Sequence, residues 1–387
     1  MPIYLLPGGD ASFMNSQNIM KILFYRALCL LLLLYTVSCS GDRKDGSRTS
    51  APKEPPKYSE RGYTTSKAYP ATFAEESFDA WQREIPQVQK VSITSSADGK
   101  PEPALFYDSG SQQKKPLLVV LHSWSSEYLQ EVSIPYAEWA KEKDWVFIHP
   151  NFRGAFEKPE ATASELAVQD IIDAVNFAKE NAAIDPSRIY LVGSSGGAMT
   201  ALVVASRHPD IWAGVVAWVP ILDLTEWYTF NLYYPNRKYN QQIEASCGGI
   251  PEPGNEADKE CKKRSPITYL ENARNIPIFL AHALTDVLVP SSHSIRAYNM
   301  LAAPQDTIPQ EHIEHIVKEQ ELPEEMQGHN SDPYFNDTDP AVLFTKESAN
   351  VKLVLFDGVH DMAYNPTLLW LNDQQQKTAQ PAATTVP

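Results

Sequence analysis

The sequence is poor in positive charge. Its 387 residues include 33 basic and 48 acidic side chains, which gives a formal net charge of −15. Such an acidic surface repels the phosphate backbones of DNA and RNA, so we expect no nucleic-acid partner. The hydrophobic fraction of 43% and the charged fraction of 21% are ordinary for a globular protein. We find no internal repeat, and the length suits one large domain or two small ones.

Long apolar runs are also absent, because no run approaches the ~20 residues of a membrane-spanning helix. The run Ala27–Val37 follows a short basic stretch that begins at Met20 and ends near Arg26. It has the length of the apolar region of a signal peptide, and Met20 is the more natural start of such a signal. The Ser-Cys39 pair behind it resembles a bacterial lipoprotein signal. We predict an exported protein that is held at a membrane only by a lipid on Cys39. The alternative is a plain secretory signal with an incidental cysteine.

Cysteine is scarce, with four residues in the whole chain. Cys29 lies in the apolar run and Cys39 is the lipidation candidate, which leaves Cys247 and Cys261. An exported protein matures where disulfides persist, so we predict that these two residues pair. The bond would close a loop of about 15 residues and stabilise the fold by about 3 kcal/mol. The alternative is two free thiols.

Composition divides the chain into four parts. Residues 1–39 are the predicted signal segment, and residues 40–70 are rich in Lys, Arg, Ser and Pro, as in a flexible tether. Residues 71–371 form the predicted catalytic domain, with an insertion at about 223–270 that would make a small cap. Residues 372–387 are of low complexity and are predicted to be disordered.

Within the predicted domain, apolar runs alternate with helical patterns. The run Leu117–Leu121 is apolar throughout, and Ile189–Val192 and Val351–Phe356 are mostly apolar, which is typical of strands buried on both faces. The pattern Thr162-Ala-Ser-Glu165 resembles a capping box at the start of a helix. We predict an α/β fold with a mostly parallel sheet that helices cover on both sides.

A candidate nucleophile lies between a predicted strand and a predicted helix. The segment Gly193-Ser194-Ser195-Gly196-Gly197 fits the pattern G-x-S-x-G with Ser195 at its centre. A sharp turn there needs small residues two positions to either side. Ser194 does not fit, because Val192 occupies its minus-two position. The start of the following helix favours developing negative charge. The alternative is a purely structural glycine turn.

A serine nucleophile needs a base and an acid, which in this fold follow it in the order acid, then histidine. Asp286 comes after the apolar run Ile276–Leu280, and His360 comes after the last predicted strand. Asp223 follows an earlier strand and is the alternative acid. The sequence therefore predicts a triad of Ser195, Asp286 and His360 at the carboxyl edge of the sheet.

These motifs resemble the catalytic domain of the prolyl oligopeptidase family of serine peptidases and its esterase relatives. The likeness covers about residues 86–366 and rests on four segments, namely Asp185–Thr200, Pro150-Asn-Phe-Arg-Gly154, His282…Asp286…Pro290 and His360-Asp-Met362. The resemblance implies the α/β-hydrolase fold and carries the catalytic roles to Ser195, Asp286 and His360.

The chain departs from that family in two places. The family often has His-Gly-Gly after its third strand, and this chain has His122-Ser123-Trp124. The oxyanion donors would then be the backbone N–H of Ser123 or Trp124 together with that of Gly196. True oligopeptidases of the family also carry a large β-propeller, and the roughly 50 residues between the signal and the start of the likeness near residue 86, the tether included, leave no room for one.

The insertion is rich in aromatic residues, including Trp227, Tyr228 and Tyr233. Their faces would stack on a sugar ring or an aromatic acyl group, or they would pack the cap's own core. His312 and His315 indicate a solvated helix face rather than a metal site, and we expect neither metal nor cofactor. Three functions remain open: an esterase acting on small or glycan-bound acyl groups, a peptidase for short peptides, and an inactive binding protein.

Overall fold

The computed structural model describes residues 71–376. The predicted signal segment, the tether and the lipidation candidate Cys39 lie outside the described residues, as does the chain from residue 377 onwards. None of the helices in the described part is both long and apolar enough to cross a lipid bilayer.

Residues 71–376 contain nine strands in one sheet. The strands are β1 (Gln89–Thr94), β2 (Pro101–Tyr107), β3 (Lys115–Leu121), β4 (Val146–Pro150), β5 (Ile184–Ser194), β6 (Gly214–Trp218), β7 (Ile278–Ala283), β8 (Val342–Ser348) and β9 (Val351–Phe356). Their order across the sheet is β1-β2-β4-β3-β5-β6-β7-β9-β8. The six central strands, β4-β3-β5-β6-β7-β9 in sheet order, are parallel. Strands β1 and β2 at one side and β8 at the other pair antiparallel.

Ten α-helices accompany the sheet in the same range. They are α1 (Phe78–Glu84), α2 (Ile134–Glu142), α3 (Glu165–Asn181), α4 (Gly196–Arg207), α5 (Leu224–Asn231), α6 (Tyr239–Cys247), α7 (Glu256–Lys263), α8 (Ser292–Leu301), α9 (Gln310–Glu319) and α10 (Tyr364–Asn372). The three helices α5, α6 and α7 occupy the predicted insertion. A disulfide bond joins Cys247 at the end of α6 to Cys261 on α7.

Each central strand contributes to two cores, which explains its continuous apolar sequence. Along β3, Leu117 and Val119 face a core built with α3 and α4, whereas Leu118 and Val120 face a second core built with α1, α2 and α10. All seven residues of β3 are buried. The predicted α/β fold with a sheet covered on both faces is therefore confirmed.

The predicted capping box is wrong by two residues. The hydroxyl of Ser164, not that of Thr162, accepts the hydrogen bond from the N–H of Ala167 at 3.1 Å and begins α3. Thr162 has a positive φ of 53°. Its hydroxyl lies 2.8 Å from Ser246 Oγ and so fixes the start of α3 to the insertion.

Candidate active site

Ser195 forms the turn between β5 and α4 and has a strained backbone. Its φ of 56° and ψ of −120° lie in a backbone region that residues other than glycine rarely adopt, at a cost of about 1–3 kcal/mol. The N–H of Ser195 donates to the carbonyl of Trp218 on β6 at 2.9 Å, which holds the turn against the sheet. The start of α4 then lies directly beside the side chain of Ser195.

The glycines around Ser195 are required by contact. A Cβ on Gly193 would overlap the backbone of Gly197, and a Cβ on Gly197 would lie 2.5 Å from the carbonyl oxygen of His122. A Cβ on Gly196 would stand 2.9 Å from the backbone nitrogen of Trp124. Strand, helix and the loop after β3 therefore meet without intervening side chains.

Asp286 and His360 form a buried, hydrogen-bonded pair at the same edge of the sheet. His360 Nδ1 lies 2.7 Å from Asp286 Oδ2, and Asp286 Oδ1 accepts hydrogen bonds from the N–H groups of Leu288 and Val289 at 2.8 and 3.1 Å. Burial acts to raise the pKa of Asp286, but the charge of His360 and the hydrogen bonds from two histidines outweigh it. The pKa of Asp286 lies below its ordinary value, so the carboxylate is ionised at neutral pH.

The second histidine is His282, to which the sequence analysis gave no separate role. Its Nε2 lies 2.9 Å from the carbonyl oxygen of Val289 and 3.3 Å from Asp286 Oδ2, and its Nδ1 lies 2.7 Å from Ser294 Oγ. His282 is fully buried. It stands at the end of β7, four residues before Asp286, and that spacing is the signal that marks it.

The alternative acid, Asp223, has a different task. Its Oδ1 accepts hydrogen bonds from the N–H groups of Thr225 and Glu226 at 2.9 and 3.3 Å, so it caps the start of α5. The carboxylate that contacts His360 is that of Asp286.

The loop after β9 carries His360 back across the sheet, because β6 and β7 separate β9 from β5. Met362 Sδ lies 3.7 Å from the hydroxyl of Tyr136 on α2, and the hydroxyl of Tyr364 donates to the carbonyl of Val132 at 2.9 Å. Both partners follow β3, which is the neighbour of β5. Within residues 71–376, no hydrogen bond joins Ser195 Oγ to His360, whose Nδ1 is held by Asp286.

The loop after β3 brings a backbone donor next to Gly196. The N–H of Ser123 already donates to Gln130 Oε1 at 3.0 Å, which argues against Ser123 as an oxyanion donor. In the described part of the chain, the N–H of Trp124 meets no acceptor, and it lies beside Gly196. The N–H of Gly196 is at the start of α4 and has no partner within the helix. Trp124 and Gly196 together therefore form the candidate oxyanion site.

The aromatic residues of the insertion are mostly buried. Trp227 is 1% exposed, and its indole N–H donates to the carbonyl of Leu288 at 2.8 Å. Tyr228 is 5% exposed, and its hydroxyl donates to Glu244 at 2.8 Å. For these two rings, burial favours the alternative interpretation from the sequence, that they pack the cap's own core. Tyr233 is 72% exposed and stays a candidate.

The cap also touches the oxyanion loop. The rings of Trp124 and Trp227 meet edge to face with centroids 4.8 Å apart. The indole N–H of Trp124 donates to Gln242 Oε1 on α6 at 2.9 Å. The side chain that replaces a glycine of the resembled family thus joins the loop to the insertion.

The sheet with its strained serine turn and the Asp286–His360 pair give the chain the α/β-hydrolase fold, with the side chains of a serine hydrolase site at its carboxyl edge. A sequence model of the prolyl oligopeptidase family matches residues 132–321. That range includes Ser195 and Asp286 and ends before His360. The resemblance predicted from the motifs is therefore confirmed for this segment.

Individual relatives share modest identity with the chain. Poly(3-hydroxyalkanoate) depolymerase C of Paucimonas lemoignei is 27% identical over 115 residues, which are 27% of this chain and 28% of that enzyme. The acylamino-acid-releasing enzyme of Arabidopsis thaliana is 24% identical over 245 residues, which are 54% of this chain and 30% of that enzyme. An acylaminoacyl peptidase of Pyrococcus horikoshii aligns with a TM-score of 0.44 and 19% identity, over 55% of this chain and 34% of its own.

Stability should fall in mild acid because of buried histidines. Burial, reinforced by nearby positive charge, lowers the pKa of His293 from 6.5 to about 3. Below pH 6.5 the unfolded chain therefore binds a proton that the folded chain excludes, and the free energy of unfolding drops by about 2 kcal/mol per such group at pH 5. Urea unfolding at pH 7 and pH 5 measures this loss.

A matched pair of variants isolates that effect. His293→Asn keeps an acceptor near the N–H of Leu222, which donates to His293 Nδ1 at 3.1 Å, and should flatten the pH dependence. His315→Asn, on the exposed side of α9, should leave the dependence unchanged. An equal slope in the wild type and in both variants would contradict the assignment.

Proposed function

We propose that the protein hydrolyses carboxylic esters through an acyl-enzyme on Ser195. The observation that carries the proposal is the 2.7 Å contact between His360 and ionised Asp286 at the sheet edge where the strained Ser195 turn lies. A serine hydroxyl is a weak nucleophile until a base removes its proton, and a histidine held by a carboxylate is such a base.

In the proposed reaction, His360 Nε2 takes the proton of Ser195 Oγ while Oγ forms a bond to the carbonyl carbon of the ester. The N–H groups of Trp124 and Gly196 hold the resulting oxyanion. The C–O bond to the leaving group then breaks, and His360 returns the proton to the departing alkoxide. Water repeats the sequence on the acyl-enzyme and releases the acid. Asp286 keeps the proton of His360 on Nδ1 throughout.

The cap has little exposed aromatic surface with which to hold a peptide, and this favours ester substrates over amides. An amide needs protonation of a poor leaving group and an accurately held substrate. Trp227 and Tyr228 are used in packing and offer no surface for a peptide, whereas the exposed Tyr233 suits stacking on a sugar ring. We therefore place small acyl esters, including those on glycans, ahead of short peptides. The names of the two curated relatives cover both a polyester and an acylated amino acid.

The role of the acid is tested by a matched pair of substitutions. Asp286→Asn should lower kcat about 10⁴-fold, because an amide in this place stabilises the wrong tautomer of the histidine. Asp223→Asn should retain activity, since asparagine is an equally good residue at the start of a helix. Steady-state kinetics on an aryl acetate measure both. Loss of activity in Asp223→Asn alone would move the acid to the earlier strand.

The reaction class is tested by comparing kcat/KM on acetylated sugars and aryl acetates with that on a glycyl-prolyl anilide, with Ser195→Ala as the blank. We expect the esters to be preferred by roughly 100-fold or more. Equal or better turnover of the anilide would make the protein a compact peptidase. Turnover of neither, with folded protein, would favour a binding role.

A further inference from the structure

Gln130 is a buried side chain that the proposed mechanism does not use. It lies in the loop between β3 and α2 and is 2% exposed. The side-chain amide is both a donor and an acceptor, so one residue is able to hold an N–H group and a carbonyl group at once. The inference below rests on the proposed function, since it concerns how that site is kept in position.

The amide of Gln130 contacts the oxyanion loop. Gln130 Oε1 accepts the hydrogen bond from the N–H of Ser123 at 3.0 Å, and Gln130 Nε2 lies 2.6 Å from Ser123 Oγ and 3.1 Å from Ser126 Oγ. This grip determines the direction of the next peptide group, which carries the N–H of Trp124. Oxyanion donors work only within a few tenths of an ångström of their target, so a loop without glycine freedom needs such an anchor.

The same amide also holds the segment around Phe73, which packs on His360. Gln130 Nε2 donates to the carbonyl of Phe73 at 2.7 Å, and the hydroxyl of Ser126 donates to the same carbonyl. The ring of Phe73 lies against the imidazole of His360, with centroids 6.0 Å apart and planes tilted by 54°. The N–H of Glu131 donates to the carbonyl of Glu75 at 2.8 Å and holds the same segment.

We propose that Gln130 is a positioning residue that couples the oxyanion donor Trp124 to the general base His360. Its amide holds the loop that presents the donor and, through Phe73, the ring that confines the base. The segment around Phe73, which directly follows the predicted tether, is therefore part of the active site.

The test replaces Gln130 by methionine, which has a similar length and offers no amide. We expect kcat on an aryl acetate to fall about 10–100-fold, with KM changed by less than about twofold, because the contact acts on the transition state. The affinity for a trifluoromethyl ketone, which forms an oxyanion on Ser195, should fall by a similar factor. Affinity for the product acid should not change.

Gln82→Met is the matched control. Gln82 Nε2 donates to the carbonyl of Val88 at 2.9 Å, so this variant also loses an amide bond to a backbone carbonyl, and that bond does not involve the loop after β3. It should keep wild-type kcat and ketone affinity. Phe73→Leu isolates the second link and should lower kcat while the Gln130 bond to the backbone of residue 73 persists.

The outcomes separate this inference from the proposed function. Wild-type kcat and ketone affinity in Gln130→Met would overturn the inference. It would also be overturned if Gln130→Met and Gln82→Met both lost kcat in proportion to their loss of Tm, because the effect would then be one of general stability. If Gln130→Met does not fold, Gln130→Asn, which withdraws the amide by one methylene, serves with the same expectations. A wild-type protein that neither turns over esters nor binds the ketone would instead refute the proposed function.

Discussion

Close backbone contact around Ser195 is the constraint on which the rest of the site depends. Gly193 and Gly197 allow β5, α4 and the loop after β3 to meet at distances that any Cβ would prevent. That approach places the start of α4 beside the N–H of Trp124 and forces Ser195 into a strained conformation. The strain is stable because the parallel strands beneath the turn are buried on both faces and hold its ends.

Electrostatics at this edge follow from the same packing. Asp286 is buried, and its charge persists because two backbone N–H groups and two histidines surround it. One of those histidines, His282, is held by Ser294 and a carbonyl, which leaves His360 as the partner that faces outward from the carboxylate. A carboxylate with this many partners is pre-organised before substrate arrives.

Much of this was predictable from sequence where the signal is local. Ser195 and the alternation of buried strands and helices follow from short patterns, and chain order adds Asp286 and His360. The sequence left open whether Trp227 is buried, and it did not predict the edge strand β8 or the bridge made by Gln130. Those depend on contacts between residues 57 or more positions apart, such as Gln130 with Phe73, or on a half-buried strand whose pattern is weak.

The central claim is that Ser195 is the nucleophile, and covalent labelling tests it most directly. The protein is treated with a fluorophosphonate, and the modified residue is located by peptide mapping in the wild type and in two variants. The account predicts modification of Ser195, its loss in Ser195→Ala, and its retention in Ser194→Ala, where the neighbouring buried hydroxyl is removed. Labelling that persists at full strength in Ser195→Ala would contradict the account.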